Sequence, residues 1–456
     1  MSVRPAERSP ADERAVAPSV PGPGRVLRGL RADGAALTLA EHLRVHGPLI
    51  DHGGHRRGEH AVVGLAEAAG LRGRGGGGFP LADKLRTVVG AAGHTRRPVV
   101  VVNAAESEPA SRKDAVLLTR TPHLVLDGAA LAAAAVGARD VVVWLHRGDV
   151  AGARAARAAV GERAATGVLG VRHRVVEGPP RYVAGEASAI AAHLSGGPAR
   201  PRVTPPRVAQ RGVHGRPTLV SNAETLAHLA LVARHGPGWF RALGTPEEPG
   251  TTLVTVLGAV GVPGVVEVPV GTPLGAVLAP TGGPPPVGGA VLVGGYAGTW
   301  LPADRALPLP WSQAGLAAAG GTPGVGLVAV LPADACPVAE TARLVGWLAG
   351  EGAQQCGPCL NGLPALAGAC RALAAGPASD AAAAPGLLHR WAGMVEGRGA
   401  CHHPDGVAGL VRSLLAAFPD EVARHAAGRP CPAAAVTATR SVLPLPPPEP
   451  GGPAWR

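Results

Sequence analysis

The sequence contains very few residues of several common types. Its 456 residues include two methionines, two tyrosines, three phenylalanines and only two lysines, Lys84 and Lys113. Aromatic residues make up 3% of the chain although hydrophobic residues reach 46%, so a buried core must consist mainly of alanine, valine and leucine. The six cysteines are too few for a disulfide framework in a chain of this length, which favours a reducing, cytoplasmic setting.

The chain also lacks concentrated charge and a long apolar run. Its formal net charge of +11 comes almost entirely from scattered arginines, and this absence of a basic run argues against nucleic-acid binding. The most apolar stretch, residues 124–146, carries Asp127, Arg139 and Asp140, so no transmembrane segment is predicted. The first residues are rich in acids and prolines and do not resemble a signal peptide.

Glycine and proline are abundant, with 67 and 47 residues, which predicts many loops. We expect a disordered N-terminal tail over 1–24 and a Pro-rich, disordered C-terminal tail over 429–456. Alternating helix and strand patterns over 25–245 predict an α/β domain. Short β-branched segments with Gly-Pro turns predict a β-grasp-like domain over 246–330, and residues 331–428 have a helical pattern.

The stretch GLRGRGGGGFPLADKLRT, residues 70–87, has six glycines in nine positions. Glycine offers no side chain to bury and loses the most backbone freedom, so this segment is expected to be a loop. Its backbone N–H groups, the helix start after it and Lys84 together suit a phosphate group. The spacing is neither a Walker A motif nor G-x-G-x-x-G, so the loop alone does not identify its ligand.

Polar residues follow a predicted buried strand in VVVVNAAESEPASRKD. They are Asn103, Glu106, Ser107, Glu108, Lys113 and Asp114. Ligands of open α/β sheets bind at the carboxyl ends of the strands, although a solvated polar loop is the alternative interpretation. Asn222 and Glu224 begin another predicted helix, where they either cap the helix or contribute to a site.

Three cysteines suggest a redox or metal site. Cys356 and Cys359 form a C-G-P-C motif, and Cys401 follows later in the chain. A thioredoxin-type pair would need a preceding strand, whereas the preceding residues have a helical pattern. Zinc held with His402 or His403 is a second alternative. An iron–sulfur cluster fits a C-x-x-C motif plus a distant cysteine better.

Several motifs occur in one order: GLRGRGGGGFP, NAAESEP, YVAGE, PRVTPP, PTLVSNAETL and CGPC with a later cysteine. Together they resemble the NADH-binding flavoprotein subunit of respiratory complex I, which is the F subunit of NADH-quinone oxidoreductase, and the related diaphorase subunits of NAD-linked hydrogenases and formate dehydrogenases. The resemblance covers roughly residues 60–425. It implies a Rossmann-like α/β flavin domain, an SLBB-like β-grasp domain and an all-α helical-bundle iron–sulfur domain.

The resemblance also implies site residues. FMN would be bound by Gly73, Arg74, Gly75, Gly76, Gly77, Gly78, Lys84, Asn103, Glu106, Ser107, Tyr182, Gly185, Glu186, Ser221, Asn222 and Thr225. The nicotinamide dinucleotide would contact Phe79, Glu108, Ala187 and Arg207. A 4Fe–4S or 3Fe–4S cluster would be bound by Cys356, Cys359 and Cys401. The resemblance implies no acid–base catalytic residue.

The chain departs from the family pattern at the dinucleotide site. Ala105 replaces an aspartate, and Ala187 replaces the second glutamate of the family's G-E-E motif. Without that glutamate the repulsion of a 2′-phosphate is lost, and Arg207 could attract one. Either NADPH is accepted, or dinucleotide binding is lost and a protein donor reduces the flavin.

The cluster motif is also incomplete, because Ala353 stands at the position of the first cysteine. A fourth ligand could be water, His402 or a shifted Cys370. The alternatives are a three-iron cluster, which needs only three thiolates, and complete absence of a cluster. Cys336 and Cys431 are interpreted as free cysteines without a role.

The sequence therefore predicts an FMN-dependent oxidoreductase. Electrons would pass between NAD(P)H or a protein donor and an iron–sulfur acceptor such as a ferredoxin or a partner oxidoreductase subunit. The positive net charge suits docking of an acidic partner. The competing hypothesis is a non-catalytic scaffold that keeps the fold without turnover.

Overall fold

The computed structural model of the protein describes residues 24–49, 55–93, 97–166, 171–283, 289–439, 442–446 and 455. Apart from Gly24, the expected N-terminal tail lies outside these residues. In the described part of the chain, no helix is both long enough and apolar enough to cross a membrane.

A parallel four-stranded sheet forms the first part of the molecule. Its strands are β1 (Val99–Asn103), β2 (Asp140–His146), β3 (Arg172–Gly178) and β4 (Thr218–Asn222), in the order β3-β2-β1-β4. Residues Val99–Val102 of β1 are buried, as expected for a central strand covered by helices on both faces. The register pairs Asn103 with Asn222, so the polar ends of β1 and β4 lie side by side.

Helices surround this sheet. They are α1 (Leu39–His46), α2 (His55–Ala68), α3 (Leu81–Ala92), α4 (Lys113–Arg120), α5 (Pro122–Val136), α6 (Val150–Thr166), α7 (Ala187–Leu194) and α8 (Ala223–Arg241). Helices α5 and α8 approach very closely at Gly128, where a Cβ would lie 1.8 Å from the carbonyl oxygen of Leu226. This contact determines the position of α8, which begins at the edge of the sheet directly after Asn222.

A second, mixed sheet follows. Its strands are β5 (Thr251–Gly258), β6 (Gly264–Pro269), β7 (Ala290–Val293), β8 (Thr299–Pro302) and β9 (Leu327–Val330), with short helices α9 (Leu274–Leu278), α10 (Ala303–Ala306) and α11 (Gln313–Ala317). The strand order is β6-β5-β9-β7-β8, and β5 and β9 are parallel while the other pairs are antiparallel. One face buries valines and leucines together with Trp311. Glu267 binds the backbone N–H groups of residues 25–27, which fastens the start of the described chain to this sheet.

The last part of the chain is helical. It contains α12 (Pro337–Gly350), α13 (Leu363–Ala375), α14 (Ala378–Val395), α15 (His403–Ala417), α16 (Pro419–Ala426) and α17 (Pro432–Thr439). Leu443 is fully buried and its backbone N–H donates to Glu340 at 3.1 Å. Trp455 is also buried. Within the described part of the expected C-terminal tail, Leu443 packs in the core of the helices and Trp455 packs against Val183 and Ala353.

Candidate functional site

A cavity of about 200 Å³ lies at the carboxyl ends of β1 and β4. It is lined by Gly75, Asn103, Ala105, Glu106, Ser107, Glu108, Ser111, Lys113, Asp114, Tyr182, Gly185, Asn222 and Val325. The fold thus brings the glycine loop, the polar strand ends and the segment around Gly185 to one place. Val325 comes from the loop before β9, so the second sheet also contributes to the wall.

The glycine loop is held in position by its own backbone. Gly73 N–H donates to the carbonyl oxygen of Phe79 at 2.9 Å. The backbone N–H of Arg74 donates to Thr225 Oγ1 at 2.9 Å. A Cβ on Gly75 would lie 3.2 Å from Asn222 Cβ, and Gly76 has a φ of +103°, which favours glycine. The absence of side chains therefore lets this backbone approach the cavity.

Gly185 approaches the cavity from the opposite side. Its carbonyl oxygen accepts a hydrogen bond from Asn103 Nδ2 at 2.9 Å. A Cβ on Gly185 would lie 2.2 Å from Ser107 Oγ, which is itself 3.0 Å from His146 Nε2. Glu186 then caps α7, because its carboxylate accepts from the backbone N–H groups of residues 188 and 189. No larger residue fits at position 185 without displacing Ser107.

Lys113 is the central charge of the site. It is 2% exposed, and its Nζ lies 3.0 Å from Asp114 Oδ1, 3.1 Å from Glu224 Oε2 and 3.2 Å from Asn222 Oδ1. Burial opposes the charge of the ammonium, but the two carboxylates raise the pKa of Lys113 overall. Burial would raise the pKa of Glu224, yet Lys113 and His228 hold it at about 2. Sequence reasoning placed Lys113 at the sheet edge without assigning it to the site, and its rarity in the chain was the available signal.

Lys84 occupies a different environment from the one expected. Its Nζ donates to the carbonyl oxygen of Val220 at 2.9 Å, and burial lowers its pKa. Lys84 does not line the described cavity. Lys84 contacts the backbone of β4 at Val220, and its contact with a phosphate remains a prediction.

Glu106 and Glu108 have contrasting surroundings. Glu106 accepts hydrogen bonds from Ser111 Oγ at 2.6 Å and from the backbone N–H groups of Asp114 and Ala115 at 3.1 Å, which orders the start of α4. Glu108 is 3% exposed, and its Oε2 accepts from Tyr296 N–H at 2.9 Å. Its Oε1 has no hydrogen-bond partner among the described residues, and burial raises the pKa of Glu108 to about 8.

A group of three thiols lies in the helical part of the chain. Cys359 is buried in a π-helical turn, Pro358–Gly362, and in addition to burial the nearby thiols of Cys356 and Cys401 contribute to raising its pKa. Cys401 is close enough to interact with Cys356 and with Glu186. Burial raises the pKa of the Cys359 thiol to about 12. The three cysteines expected to bind a cluster are therefore brought together.

The turn at residues 181–185 connects the cavity with the loop that leads to the first of the three cysteines. Tyr182 and Gly185 line the cavity. The preceding residue, Arg181, donates to the carbonyl oxygen of Gly350 at 2.7 Å and pairs with Glu351 at 3.0 Å. Tyr182 N–H also donates to Glu351, at 2.9 Å. The same short segment thus contacts both the cavity and the loop that leads to Cys356.

Ala353, the residue predicted to replace a cluster cysteine, is surrounded by apolar groups. Ala353 is 3% exposed and forms a small cluster with Val183 and Trp455. The carbonyl oxygen of Trp455 accepts from Ala199 N–H at 2.8 Å. The guanidinium groups of Arg181 and Arg200 lie 5.3 and 5.0 Å from the Trp455 ring. Trp455 therefore packs against Ala353, the residue that the sequence resemblance aligns with the family's first cluster cysteine.

Comparison with known proteins identifies the family. Residues 66–231 match the Nuo51 FMN-binding domain, and residues 339–425 match the iron–sulfur binding region of NADH-ubiquinone oxidoreductase-F. The chain is 31% identical over 383 residues to the second NADH-quinone oxidoreductase F subunit of Rhizobium meliloti, covering 81% of this chain and 90% of the relative. It is 32% identical to the F subunit of Streptomyces coelicolor, covering 81% of this chain and 84% of the relative. The chain belongs to the family of NADH-quinone oxidoreductase F subunits.

A solved structure supports the same assignment. The NAD+-reducing nickel–iron hydrogenase in its H2-reduced state matches with a TM-score of 0.71 and 32% sequence identity. The match covers 85% of this chain and 67% of the hydrogenase chain. The resemblance to the complex I flavoprotein and to hydrogenase diaphorases that the sequence indicated is therefore confirmed.

The cavity fits the FMN of this family. A Cβ on Gly75 would meet Asn222 and one on Gly185 would meet Ser107, so glycine at both positions lets the backbone line the cavity. Glu108 Oε1 has no hydrogen-bond partner among the described residues there. Of the residues expected to contact the dinucleotide, Glu108 lines the cavity. Phe79 is 44% exposed beyond the glycine loop, Arg207 is exposed on its loop, and Ala187 is the first residue of α7. These three do not line the described cavity.

The three cysteines can supply three ligands of the family's iron–sulfur cluster. No fourth ligand is found next to them among the described residues. The side chain of His402 is fully exposed and its Nδ1 lies 3.3 Å from Asp405 Oδ2. His403 Nε2 lies 2.9 Å from the carbonyl oxygen of Leu348. Cys370 is buried within α13 and has no interaction with the three thiols in the described part of the chain. The suggestion that His402 or Cys370 completes the ligand set is therefore not met, because each side chain is directed elsewhere.

Glu108 gives the site a testable pH dependence. Because its pKa in the folded protein is about 8 and the ordinary value is 4.5, the folded state holds the proton more tightly than the unfolded state. The corresponding stabilisation is complete below pH 4.5 and is lost as the pH rises to about 8. Glu108→Gln has no carboxyl at this position and should not show this loss. The difference in free energy of unfolding, variant minus wild type, should therefore increase by about 3–4 kcal/mol from pH 5 to pH 8. Urea unfolding of the flavin-free protein at both pH values measures it.

The matched control is Glu247→Gln, because Glu247 is exposed. This control should follow the wild-type pH dependence. If Glu108→Gln does so as well, the Glu108 carboxyl does not titrate as its burial requires.

Proposed function

We propose that this protein transfers electrons from NADH or NADPH, through FMN, to an iron–sulfur centre and then to an iron–sulfur partner protein. The observation that carries the proposal is the turn between Arg181 and Glu186. It lines the flavin cavity and binds Gly350 and Glu351 at the start of the loop that leads to Cys356, and in addition to burial the charge of Glu186 contributes to raising the pKa of Cys401. A two-electron site and a one-electron site built on one turn suit stepwise electron transfer.

FMN, when bound, accepts electrons in pairs and releases them singly, which is the chemistry that this arrangement needs. The residues of this chain would hold and orient it. Gly75 and Gly185 permit close approach of backbone, and Asn103 and Asn222 offer amide groups at the ends of β1 and β4. Lys113 balances the buried charges of Asp114 and Glu224 and so holds the end of β4 and the start of α4 beside the cavity.

The three thiols would hold the iron–sulfur centre. Three thiolates satisfy a 3Fe–4S cluster, and a 4Fe–4S cluster would need a ligand from solvent at the corner near Ala353. Trp455, Val183 and Ala353 make that corner apolar. We therefore favour the three-iron form.

The domain assignments support the same function. The order β6-β5-β9-β7-β8 with β5 parallel to β9 supports an SLBB-like β-grasp domain over 246–330. Helices α12–α17 support a helical iron–sulfur domain over 331–428, to which α17 is added. The relatives are named as subunits of NADH-quinone oxidoreductase, so a partner oxidoreductase subunit or an acidic ferredoxin is the expected acceptor. With a net charge of +11, the rate of transfer to an acidic partner should fall as salt is added.

An anaerobic titration tests the proposed function. The purified full chain should show flavin absorption with a broad iron–sulfur shoulder, and NADH or NADPH should bleach the flavin band. Faster bleaching by NADPH would support the role of Ala187 and Arg207 in accepting a 2′-phosphate. A yellow protein that neither nucleotide bleaches would overturn the dehydrogenase function, and a colourless protein would favour the scaffold.

Restoring the missing ligand is expected to change the cluster. Ala353→Cys should raise the iron content from about three to about four atoms per chain, because a fourth thiolate completes a 4Fe–4S set. Iron analysis and low-temperature electron paramagnetic resonance measure the change. Ala353→Ser is the control of similar size and should leave the iron content as it is. An unchanged signal in Ala353→Cys would show that Ala353 is not at the fourth corner.

A further inference from the structure

Four metal-ligating side chains meet in the helical domain, away from the three thiols of the cluster site. They are Cys336, Glu421, His425 and Cys431. One ligand atom from each residue lies within 4.8 Å of all the others. Neither the flavin cavity nor the cluster site uses any of them.

The distances match the edges of a tetrahedral metal site. Cys336 Sγ lies 3.4 Å from His425 Nε2 and 3.9 Å from Glu421 Oε1. His425 Nε2 lies 3.2 Å from Glu421 Oε1. Cys431 Sγ lies within 4.8 Å of the ligand atoms of the other three residues. Metal–ligand bonds of 2.0–2.3 Å at tetrahedral angles give ligand–ligand distances of about 3.3–3.8 Å, the range of a zinc site.

Neighbouring groups orient the ligand atoms of these four residues. His425 Nδ1 lies 3.1 Å from the carbonyl oxygen of Leu373, which leaves Nε2 directed toward the other three ligand side chains. Arg424 pairs with the outer oxygen of Glu421, so Oε1 remains the inner ligand. The backbone N–H of Ala339 lies 3.5 Å from Cys336 Sγ, which suits a negatively charged sulfur at the start of α12.

We propose that Cys336, Glu421, His425 and Cys431 bind a single Zn²⁺ ion. Two thiolates, an imidazole and a carboxylate form a closed four-ligand set, the kind that structural zinc sites use. Binding would release the two thiol protons to solvent, leave His425 neutral and involve no electron transfer. Cys336 and Cys431 then have a shared role and are not the independent free cysteines that the sequence suggested.

The position of the site indicates what the ion would do. Cys336 precedes α12, Glu421 and His425 lie on α16, and Cys431 precedes α17. The ion would therefore fasten α16 and α17 to the start of α12.

Metal analysis of the full chain tests the proposal. Wild-type protein, purified without chelator and given equimolar Zn²⁺, should hold about one zinc per chain in addition to its iron. Cys431→Ser should hold at least tenfold less zinc while its iron content stays unchanged. Cys431 is the ligand of choice because it is partly exposed, so its replacement disturbs the core little. Cys370→Ala is the matched control, since Cys370 is a buried free cysteine outside the group, and it should retain zinc.

A cobalt measurement provides a second readout. Co²⁺ added to the metal-depleted site should give a thiolate-to-cobalt charge-transfer band in wild type and in Cys370→Ala, and no such band in Cys431→Ser. Equal zinc in wild type and Cys431→Ser would overturn the proposal, as would wild-type protein that binds no zinc. A Cys336–Cys431 disulfide in mass spectra of the unreduced protein would also overturn it. Failure of the flavin titration leaves this test unaffected, because zinc is measured separately from turnover.

Discussion

Replacing Lys113 by methionine is expected to lower the free energy of unfolding by about 3–5 kcal/mol and to abolish FMN retention. Lys113 is the cation that faces the buried carboxylates of Asp114 and Glu224, at 3.0 and 3.1 Å. Removing one partner of a buried ion pair leaves an uncompensated charge, which costs far more than the net gain of the pair. Urea unfolding gives the loss of stability, and the flavin content of the purified protein gives the loss of FMN.

The only other lysine provides the control. Lys84→Met removes one hydrogen bond to the carbonyl oxygen of Val220 and no ion pair among the described residues, so about 1–2 kcal/mol should be lost. A double variant, Lys113→Met with Glu224→Gln, should recover part of the stability because one buried charge is gone. Equal destabilisation by Lys113→Met and Lys84→Met would contradict the central role given to Lys113.

Gly128→Ala is expected to destabilise the flavin domain by about 3 kcal/mol or more. The added Cβ would lie 1.8 Å from the carbonyl oxygen of Leu226, so α5 and α8 must move apart. Because α8 begins beside the cavity at Asn222, its displacement should also reduce FMN occupancy severalfold. Thermal unfolding and flavin content of the purified variant are the measurements.

Gly161→Ala is the matched control for this substitution. Gly161 lies within α6, and a Cβ there would meet no atom within 4 Å. Alanine is the better helix former, so this variant should be as stable as wild type or slightly more stable. If Gly128→Ala behaves like Gly161→Ala, the close approach of α5 and α8 is not required.

The neighbourhood of the two asparagines could be predicted from the sequence. Asn103 follows a predicted buried strand, and the family resemblance implied that Asn222 belongs to the same site. The sequence indicated a helix start at Asn222 but not the strand β4 before it. The register confirms that they are paired. The partners of Lys113 could not be predicted, because Glu224 is remote in the chain and equally suited to capping α8.

Burial at the end of the chain could not be predicted from the sequence. Its prolines and alanines indicated disorder, since composition reports how little apolar surface a segment offers. Leu443 and Trp455 are nevertheless buried, because the helical core accepts Leu443 and the residues around Val183 and Ala353 accept Trp455. Composition cannot reveal that a few residues find such surfaces.

The amino-acid sequence by itself determined the family and the α/β class of the first domain, and it predicted three cysteines as cluster ligands. Local patterns carry that information, because motif order, strand periodicity and C-x-x-C spacing are properties of neighbouring residues. Only the tertiary structure decided that Lys113 joins Asp114 and Glu224, that Trp455 covers Ala353, and that Cys336 and Cys431 meet His425. These contacts join residues far apart in the chain, and the packing of helices and sheets alone brings such residues together.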